Sequence, residues 1–415
     1  MIKRGTVGMF EHTTGAAQVA GVTPDQLIEM IENGRSIDAL LECLVVPAPA
    51  PPLLQRLLGW RLSHSAFATD VARWVGKKRV EAHLLGNRDR LSAIDAFEFF
   101  YTDRSPLDRV AGDYFRMRFA QPRHLAALAL LQSVRPDPKP LLDIACGAGH
   151  LAHYLTSRRK TVAVVGIDFN FFHLWIARHW IAPAAHYVCG DLRDGLPFIP
   201  DAFSATFCSD AYHYIQNREQ LHREIQRCAP GRPGILTRVG NAAIMPNEGR
   251  ERTVRGYLEE IGAADIRVLT EQTLLQCYLD RRNPLGGDAD CVATLAHSKW
   301  LSFVWNAPPQ PRLEASQALD EEWPHAVGLL GVNPIYRSKA AADGQLQLQF
   351  AFPSIWYAYE NGGMLSYHPR RLQISRAQIE ALREQRIDPS LSELVAKFVL
   401  VGLPRRFVSP GKVPA

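Results

Sequence analysis

The sequence lacks the features of several large classes of protein. Its seven cysteines are odd in number, lie far apart and form no Cys-x-x-Cys pair, so we expect neither a disulfide framework nor a structural zinc site. No run approaches the ~18 apolar residues of a membrane span, and residues 1–5 are not followed by the apolar core of a signal peptide. These absences predict a chain of a reducing, cytoplasmic compartment that binds no metal and no membrane.

Concentrated positive charge is also lacking. The formal net charge is +5 and the sequence pI is about 8.8, but the arginines are scattered and form no dense basic block with interleaved aromatic residues. Nucleic acid is therefore not the expected partner. The composition, with 47% hydrophobic and 21% charged residues, is that of a globular protein with a large core.

With 415 residues and no internal repeat, the chain is long enough for two or three structural units. Helical patterns interrupted by a proline-rich linker at 46–52 predict a helical unit over residues 1–105, which would cover a cleft or form a subunit interface. The prolines at 308–311 mark a second break, and residues 298–415 read as an α+β appendage that shapes a substrate pocket. Oligomeric state stays open, with a homo-oligomer as one reading.

Strand and helix patterns alternate between these breaks, over residues 106–297. Alternation at this spacing predicts an α/β fold with a doubly wound, mostly parallel sheet. The predicted strands cover 141–146, 162–167, 186–189, 203–208 and 234–239. The predicted helices cover 151–157, 172–180, 218–228 and 251–261. Segments 265–269 and 291–295 are candidate closing strands, which would form an antiparallel edge pair.

A Gly-x-Gly turn follows the first of these strands. The aliphatic run from Leu141 breaks at Gly147 and Gly149 and then resumes as a helix. Glycines are needed where a ligand must approach the backbone closely, and the turn joins a strand end to a helix N-terminus. The turn therefore predicts a binding site for a nucleotide-like ligand.

Further polar residues follow the next strands, where an open α/β sheet builds its ligand crevice. Asp168 ends the second strand, where a carboxylate can accept both hydroxyls of a ribose. Asp191 follows the third strand and suits the amino group of adenine. Residues 209–214, with the sequence Ser-Asp-Ala-Tyr-His-Tyr, follow the fourth.

The turn and the acid at Asp168 do not by themselves separate this chain from hydride-transferring dehydrogenases, since Ala152 is permitted at their third glycine position. The third acid, Asp191, and the Leu-Pro-Phe and Asp-Ala-Phe segments at 196–198 and 201–203 favour a methyltransferase. The region 110–297 resembles a class I S-adenosylmethionine-dependent methyltransferase of the small-molecule type, with a Rossmann-like fold. His150 stands where many relatives have another glycine.

The resemblance implies S-adenosylmethionine as cofactor and S-adenosylhomocysteine as product. It implies that the glycines pass under the methionine part, that Asp168 binds the ribose, and that Asp191, Leu192 and Phe169 surround the adenine. Tyr114 and Arg118 lie on a helix that in such enzymes closes over the cofactor. The full set of candidate cofactor residues is Tyr114, Arg118, Asp143, Ala145, Cys146, Gly147, Gly149, Asp168, Phe169, Asp191, Leu192 and Ser209.

Two residues after the fourth strand are candidates for catalysis. His213 lies where the acceptor would meet the methyl group and could act as a general base, and Tyr212 could contact the acceptor. Packing or hydrogen bonding is the alternative for both. Cys146 and Cys208 are expected to be buried strand ends rather than nucleophiles.

The leading hypothesis is a methyltransferase that acts on an O, N or C atom of a small-molecule metabolite, in specialised biosynthesis. A second hypothesis has a protein, peptide or nucleic acid as acceptor. A third has a cofactor-binding partner protein without catalysis, against which the intact glycine turn and both acids argue.

Overall fold

Seven strands form one sheet at the centre of the molecule. The computed structural model describes residues 87, 89–101, 106–132, 138–158, 162–245, 250–286, 290, 292–307, 323–341 and 344–408. The strands are β1 (Leu141–Ile144), β2 (Val164–Asp168), β3 (His186–Cys189), β4 (Ala205–Ser209), β5 (Gly234–Gly240), β6 (Ile266–Thr270) and β7 (Trp300–Trp305). Their order is β3-β2-β1-β4-β5-β7-β6. The first five strands run parallel, and β7 pairs antiparallel with β5 and β6.

Helices cover both faces of this sheet because β1, β4 and β5 are buried along their whole length and must be shielded from water on both sides. The helices of this part of the chain are α1 (Ala93–Tyr101), α2 (Pro106–Arg116), α3 (Pro122–Gln132), α4 (His150–Arg158), α5 (Phe171–Ile176), α6 (Arg218–Cys228), α7 (Val254–Ile261), α8 (Glu271–Leu279) and α9 (Val292–Ala296). A π-helical turn, Ala177–Ile181, continues α5. Side chains of Asn170, Asn217 and Thr253 cap the N-termini of α5, α6 and α7.

The predicted α/β fold with a mostly parallel, doubly wound sheet is confirmed, but the prediction for its last strand is wrong. Residues 291–295 were expected to form a strand, whereas Val292–Ala296 is helix α9 and the closing strand is β7. Periodicity does not separate strand from helix in a run of five residues. The predicted domain boundary after residue 297 therefore lies within the sheet, because β7 sits between β5 and β6.

Residues 323–408 form two small sheets with helices, in agreement with the α+β pattern predicted for the end of the chain. The strands are β8 (Leu329–Val332), β9 (Tyr336–Ala340), β10 (Leu346–Phe350), β11 (Arg371–Ile374) and β12 (Leu400–Leu403). One sheet has the order β11-β10-β9, and the other pairs β12 with β8. The helices are α10 (Ile355–Asn361), α11 (Arg376–Arg383) and α12 (Pro389–Ala396).

This C-terminal region packs on the segment between α2 and α3. The Tyr367 hydroxyl donates to the carbonyl of Ala120 over 2.9 Å, and the Tyr357 hydroxyl donates to the carbonyl of Met117 over 3.3 Å. Gln121 in turn donates its side-chain amide to the Tyr357 hydroxyl over 3.0 Å. Helix α10 is thereby placed beside the carboxyl ends of the central strands.

Most of the predicted N-terminal helical unit, including all of its proposed helices between 23 and 74, falls outside the described residues. Within it, helix α1 matches the helical pattern at 92–101. In the part of the chain that the structure describes, no helix has the length and apolar character required to cross a membrane.

Candidate functional site

The turn between β1 and α4 is built on left-handed backbone. Ala145, Gly147 and Gly149 have φ angles of 55°, 53° and 76°. A Cβ atom on Gly149 would lie 2.7 Å from the Tyr187 hydroxyl oxygen and 3.0 Å from the Ala177 Cβ. Glycine is therefore required at this position by both conformation and space.

Asp168 joins this turn to the end of β2. Its Oδ2 accepts a hydrogen bond from the backbone N–H of Gly147 over 3.0 Å, and its Oδ1 accepts one from the N–H of Asn170 over 2.8 Å. A carboxylate has about four lone-pair sites, so these two bonds leave it able to accept further donors. The structure places Asp168 beside the glycine turn, as the sequence predicted.

Asp191, Leu192 and Phe169 follow the ends of β3 and β2, which are neighbours in the sheet. The Asp191 carboxylate holds Arg193, whose Nε lies 3.0 Å from each of its oxygens, and this hydrogen bonding lowers the Asp191 pKa. Leu192 packs against the core, while the Phe169 ring is 58% exposed. An exposed aromatic ring at this edge offers a face on which a planar ligand can stack.

An aromatic side chain from helix α2 packs over the glycine turn. The Phe115 ring of α2 lies 3.4 Å from where a Cβ on Gly147 would be. Phe97 of α1 stacks on Phe115 with 5.5 Å between ring centroids, and the His173 ring lies 4.8 Å from Phe115. These contacts make α1 and α2 an apolar cover over the turn.

Arg118 and Asp143 bring opposite charges into the buried space beside the turn. Arg118 lies in a 3₁₀ turn (Arg118–Ala120) just after α2, rather than on the predicted helix itself, with its guanidinium 4.6 Å from the ring centroid of Tyr114. Its Nη2 lies 3.5 Å from the Ser209 hydroxyl. Neither Arg118 Nη1 nor Asp143 Oδ2 has a hydrogen-bond partner among the described residues.

Burial shifts the pKa of both groups. It lowers the pKa of the Arg118 guanidinium to about 10, against the favourable charge of Asp210. It raises the pKa of the Asp143 carboxyl to about 7, against the favourable charge of Arg118. A buried donor and a buried acceptor with unused hydrogen-bonding capacity are suited to a ligand that carries both kinds of polar group.

A network of arginines and carboxylates lies at the ends of β4 and β5, and sequence reasoning missed it as a site. We call it the Asp210 cluster. Its members are Asp210, Arg118, Arg123, Arg238, Glu271 and Glu360. Arg123 Nη1 donates to Asp210 Oδ2 over 2.8 Å, and Arg238 Nε lies 3.1 Å from Asp210 Oδ1. Tyr114 also donates its hydroxyl to Asp210 over 3.2 Å.

The arginines govern ionisation in this cluster. Although burial alone would raise the pKa of Asp210, Arg123, Arg238 and Arg118 lower it to about 2. Burial alone would lower the pKa of Arg123, but Asp210 and Glu360 raise it above its ordinary value. One feature of the sequence indicates this cluster: Arg238 is a charged residue within a mostly apolar strand. A β-bulge between Leu236 and Val239 accommodates it.

The two candidates for catalysis have different surroundings. Tyr212 is fully buried, and its hydroxyl is 2.7 Å from Nε2 of His222, so its side chain is part of the core. The catalytic role predicted for Tyr212 does not fit this placement. His213 is 7% exposed, its Nδ1 has no partner among the described residues, and burial lowers its pKa to about 4 despite the charge of Asp210.

Cys208 is buried in β4, as expected, whereas Cys146 lies in the turn after β1 and is half-buried. Burial, with the nearby charges of Asp143 and Asp168, raises the pKa of the Cys146 thiol well above its usual range. Burial also raises the pKa of Cys208. Both thiols therefore stay protonated at neutral pH and are poor nucleophiles.

Part of the chain is similar to known methyltransferases. Residues 141–231, from β1 to just beyond α6, match the family model described as a methyltransferase domain. A trans-aconitate 2-methyltransferase of Acidovorax ebreus is 30% identical over 122 residues, which cover 29% of this chain. The chain spans 45% of the length of that curated relative.

Solved structures of similar proteins were also found. One is a TehB-like S-adenosylmethionine-dependent methyltransferase from Corynebacterium glutamicum, which is 17% identical to this chain. The match covers 44% of this chain and 88% of that chain, with a TM-score of 0.33. Phosphoethanolamine N-methyltransferase 2 of Haemonchus contortus, in complex with S-adenosyl-L-methionine, is 19% identical and covers 44% of this chain and 52% of its own, with a TM-score of 0.33.

Proposed function

We propose that this chain, which matches a methyltransferase domain over residues 141–231, transfers a methyl group from S-adenosylmethionine to a small-molecule acceptor. The observation that carries the proposal is the hydrogen bond from the Gly147 N–H to the Asp168 carboxylate. It joins the glycine turn after β1 to the acid at the end of the neighbouring strand, the position from which a carboxylate binds ribose hydroxyls.

The residues around the turn fit each part of this cofactor. Gly147 and Gly149 keep the backbone open to the methionine part, and Asp168 has remaining acceptor capacity for the ribose hydroxyls. Arg118 Nη1 and Asp143 Oδ2, both buried and without hydrogen-bond partners among the described residues, complement a carboxylate and an ammonium group. The amino-acid end of S-adenosylmethionine carries these two groups.

When bound, the cofactor supplies a methyl group on a positively charged sulfur. The protein contributes mainly by placing the acceptor atom in line with that methyl group and by excluding water. Phe115, packed over Gly147, excludes water from the turn. His213 is neutral at pH 7 because of its lowered pKa, and its partnerless Nδ1 could accept a proton from an acceptor that must lose one.

A small molecule as acceptor is supported by the relative that is named a trans-aconitate 2-methyltransferase. The buried arginines of the Asp210 cluster support it as well, because a buried polar site at strand ends accommodates a metabolite more readily than a folded protein or a duplex.

The test of the proposed function is calorimetric titration of the full chain with S-adenosylmethionine. In Asp168→Asn, we expect the affinity to fall at least tenfold, because the charge that binds the ribose hydroxyls is lost while side-chain size is kept.

The matched control is Glu219→Gln, which removes one carboxylate from the exposed face of α6, where it pairs only with Arg223. Its affinity should equal that of the unaltered chain. If the unaltered chain does not bind S-adenosylmethionine, or if Asp168→Asn binds it equally well, the proposed function is wrong.

A further inference from the structure

We propose that Arg123, Arg238 and Lys299 form the acceptor subsite of this enzyme, that the acceptor carries a carboxylate, and that Glu360 occupies the subsite in the free chain. The inference rests on the proposed function, since it concerns the acceptor of that same reaction. Glu360 comes from α10 in the C-terminal region, so this region takes part in substrate selection.

Arg123 and Arg238 pair with the less exposed carboxylates, Asp210 and Glu271, on one side and with the more exposed Glu360 on the other. On the inner side, Asp210 holds both arginines, and Glu271 accepts from Arg238 Nη1 over 3.0 and 2.8 Å. On the outer side, Arg123 Nη2 donates to the Glu360 carboxylate, and Arg238 Nη2 lies 3.8 Å from it. Glu360 is thus bound at a point where two guanidinium groups converge.

Glu360 is the most accessible of the three carboxylates and accepts the fewest hydrogen bonds within the cluster. Its side chain is 30% exposed, against 9% for Asp210 and 17% for Glu271. It accepts one hydrogen bond from the arginines, whereas Glu271 accepts two from Arg238 alone. It is therefore the carboxylate that can leave at the lowest cost.

The charges around this point balance while Glu360 is in place. Arg123, Arg238 and Lys299 give three positive charges, and Asp210, Glu271 and Glu360 give three negative charges. Departure of Glu360 would leave an excess of one positive charge among these groups. Buried charges need a partner, so another anion is favoured in its place.

Aromatic rings hold the cations in position around this point. The Arg238 guanidinium lies 4.1 Å from the centroid of the Trp300 ring. The Lys299 ammonium lies 5.2 Å from the Trp300 centroid and 5.1 Å from that of Tyr359. Cations fixed over ring faces lose little freedom when a ligand binds, so the site is ready to bind an anion.

A carboxylate is favoured over other anions because the group now bound by Arg123 is itself a carboxylate. The planar guanidinium of Arg123 donates to the Asp210 carboxylate through Nη1 and to the Glu360 carboxylate through Nη2, so its outer nitrogen is placed for a carboxylate oxygen. An acceptor carboxylate can therefore replace the Glu360 carboxylate group for group, with no change in local charge.

The test compares the unaltered chain with Glu360→Gln by calorimetry, using trans-aconitate, succinate, inorganic phosphate and the uncharged succinamide as probes. Glu360→Gln removes the carboxylate that competes with the ligand, so it should tighten the binding of trans-aconitate and succinate about tenfold and leave succinamide unbound. Glu380→Gln, in which an exposed carboxylate of α11 paired with Arg376 is removed, is the matched control and should bind as the unaltered chain does. Adding Arg123→Lys to Glu360→Gln should abolish the gain, because the guanidinium that donates to Asp210 through Nη1 and to the carboxylate through Nη2 is lost while the charge stays.

Equal affinity of Glu360→Gln and the unaltered chain for both carboxylates would overturn the inference. So would a gain for phosphate alone, or a gain that persists in the Arg123→Lys double variant. Titration with S-adenosylhomocysteine in the same preparations separates the two proposals. If the chain binds no S-adenosylhomocysteine but Glu360→Gln gains affinity for carboxylates, the methyltransferase proposal fails and the anion site stands.

Discussion

Single residues in the turn after β1 have little tolerance for change. Gly149 combines a left-handed φ of 76° with a space that the Tyr187 hydroxyl and Ala177 fill. A side chain at this position therefore meets two separate obstacles, one in the backbone and one in the packing.

We expect Gly149→Ala to lower the free energy of unfolding by roughly 2–3 kcal/mol, about 1–2 from the left-handed conformation and the rest from contact with the Tyr187 hydroxyl. Urea denaturation followed by circular dichroism measures this loss. Tyr187→Phe removes the hydroxyl and its 3.1 Å bond to the Ala182 carbonyl. In the double variant the losses should sum to less than those of the single variants. Strict additivity would show that the contact with Tyr187 is not the obstacle.

The sequence predicted the position of a residue where the backbone alone was decisive. Asp168 was expected at the end of a strand, and it lies there beside the glycine turn, while its role in binding the cofactor stays a prediction. Tyr212 was predicted to contact the acceptor, but its side chain points into the core toward His222. The sequence does not show the direction of a side chain in a short 3₁₀ turn. The Asp210 cluster was missed because Arg123, Arg238 and Glu360 come from three distant parts of the chain.

At the scale of elements, apolar packing and directed hydrogen bonds together hold the C-terminal region on the sheet domain. Phe398 lies in a buried cluster with residues of β1 and α3, and Phe407 lies in one with residues of α1. The Tyr367 hydroxyl satisfies the carbonyl of Ala120, a fully buried residue at the end of the 3₁₀ turn that contains Arg118. This contact connects the two small C-terminal sheets to the segment that carries a predicted cofactor residue.

We expect Tyr367→Phe to cost about 1–3 kcal/mol of unfolding free energy, because it leaves a buried carbonyl without its donor. Chemical denaturation measures the loss. The control is Ser366→Ala, in the same turn, whose hydroxyl bonds only to the carbonyl of Gly363 and is exposed. That variant should change stability by less than about 0.5 kcal/mol. Equal effects of the two variants would contradict a specific role for Tyr367.

Elements were predicted well where pattern and length were both clear. Helix α6 was predicted with its observed bounds because charged and apolar residues alternate at helical spacing over three turns. Strand β7 was missed although its sequence is rich in aromatic and β-branched residues, because a short apolar run before it was taken as the closing strand. Only pairing with β5 and β6 identifies the correct segment.

At the scale of the whole molecule, buried histidines make stability depend on pH. Burial lowers the pKa of eight of them, so that they are neutral in the folded chain at pH 7. They are His124, His150, His153, His173, His213, His222, His325 and His368. In the unfolded chain these side chains take up protons below about pH 6.5.

The unfolded state therefore binds more protons as the pH falls from about 6.5 to about 4, and stability is lost over that window. Asp143 acts in the opposite direction, since its pKa of about 7 lets it take up a proton first in the folded chain. The effect of this one carboxyl group is smaller than the combined effect of the eight histidines. We expect urea denaturation to show a lower free energy of unfolding at pH 5 than at pH 7.5, by several kcal/mol.

The variant His325→Gln should make this dependence shallower by on the order of 1–2 kcal/mol, because it removes one titrating group. His325 lies between the Tyr278 hydroxyl and the Val395 carbonyl, and its pKa is lowered to about 4. The comparison is between pH values within each variant, so its loss of packing cancels. A free energy of unfolding that does not change between pH 7.5 and pH 5 in the unaltered chain would refute this prediction.

The sequence by itself determined the α/β fold, the glycine turn and the acids at the strand ends, because these depend on local periodicity and on which residues the backbone admits at a turn. Only the tertiary structure decided that Arg123 and Arg238 meet at Asp210, and that Glu360 of α10 pairs with both arginines. Ion pairs between distant segments have no spacing to read in a sequence. They exist only once the sheet and the C-terminal region are packed together.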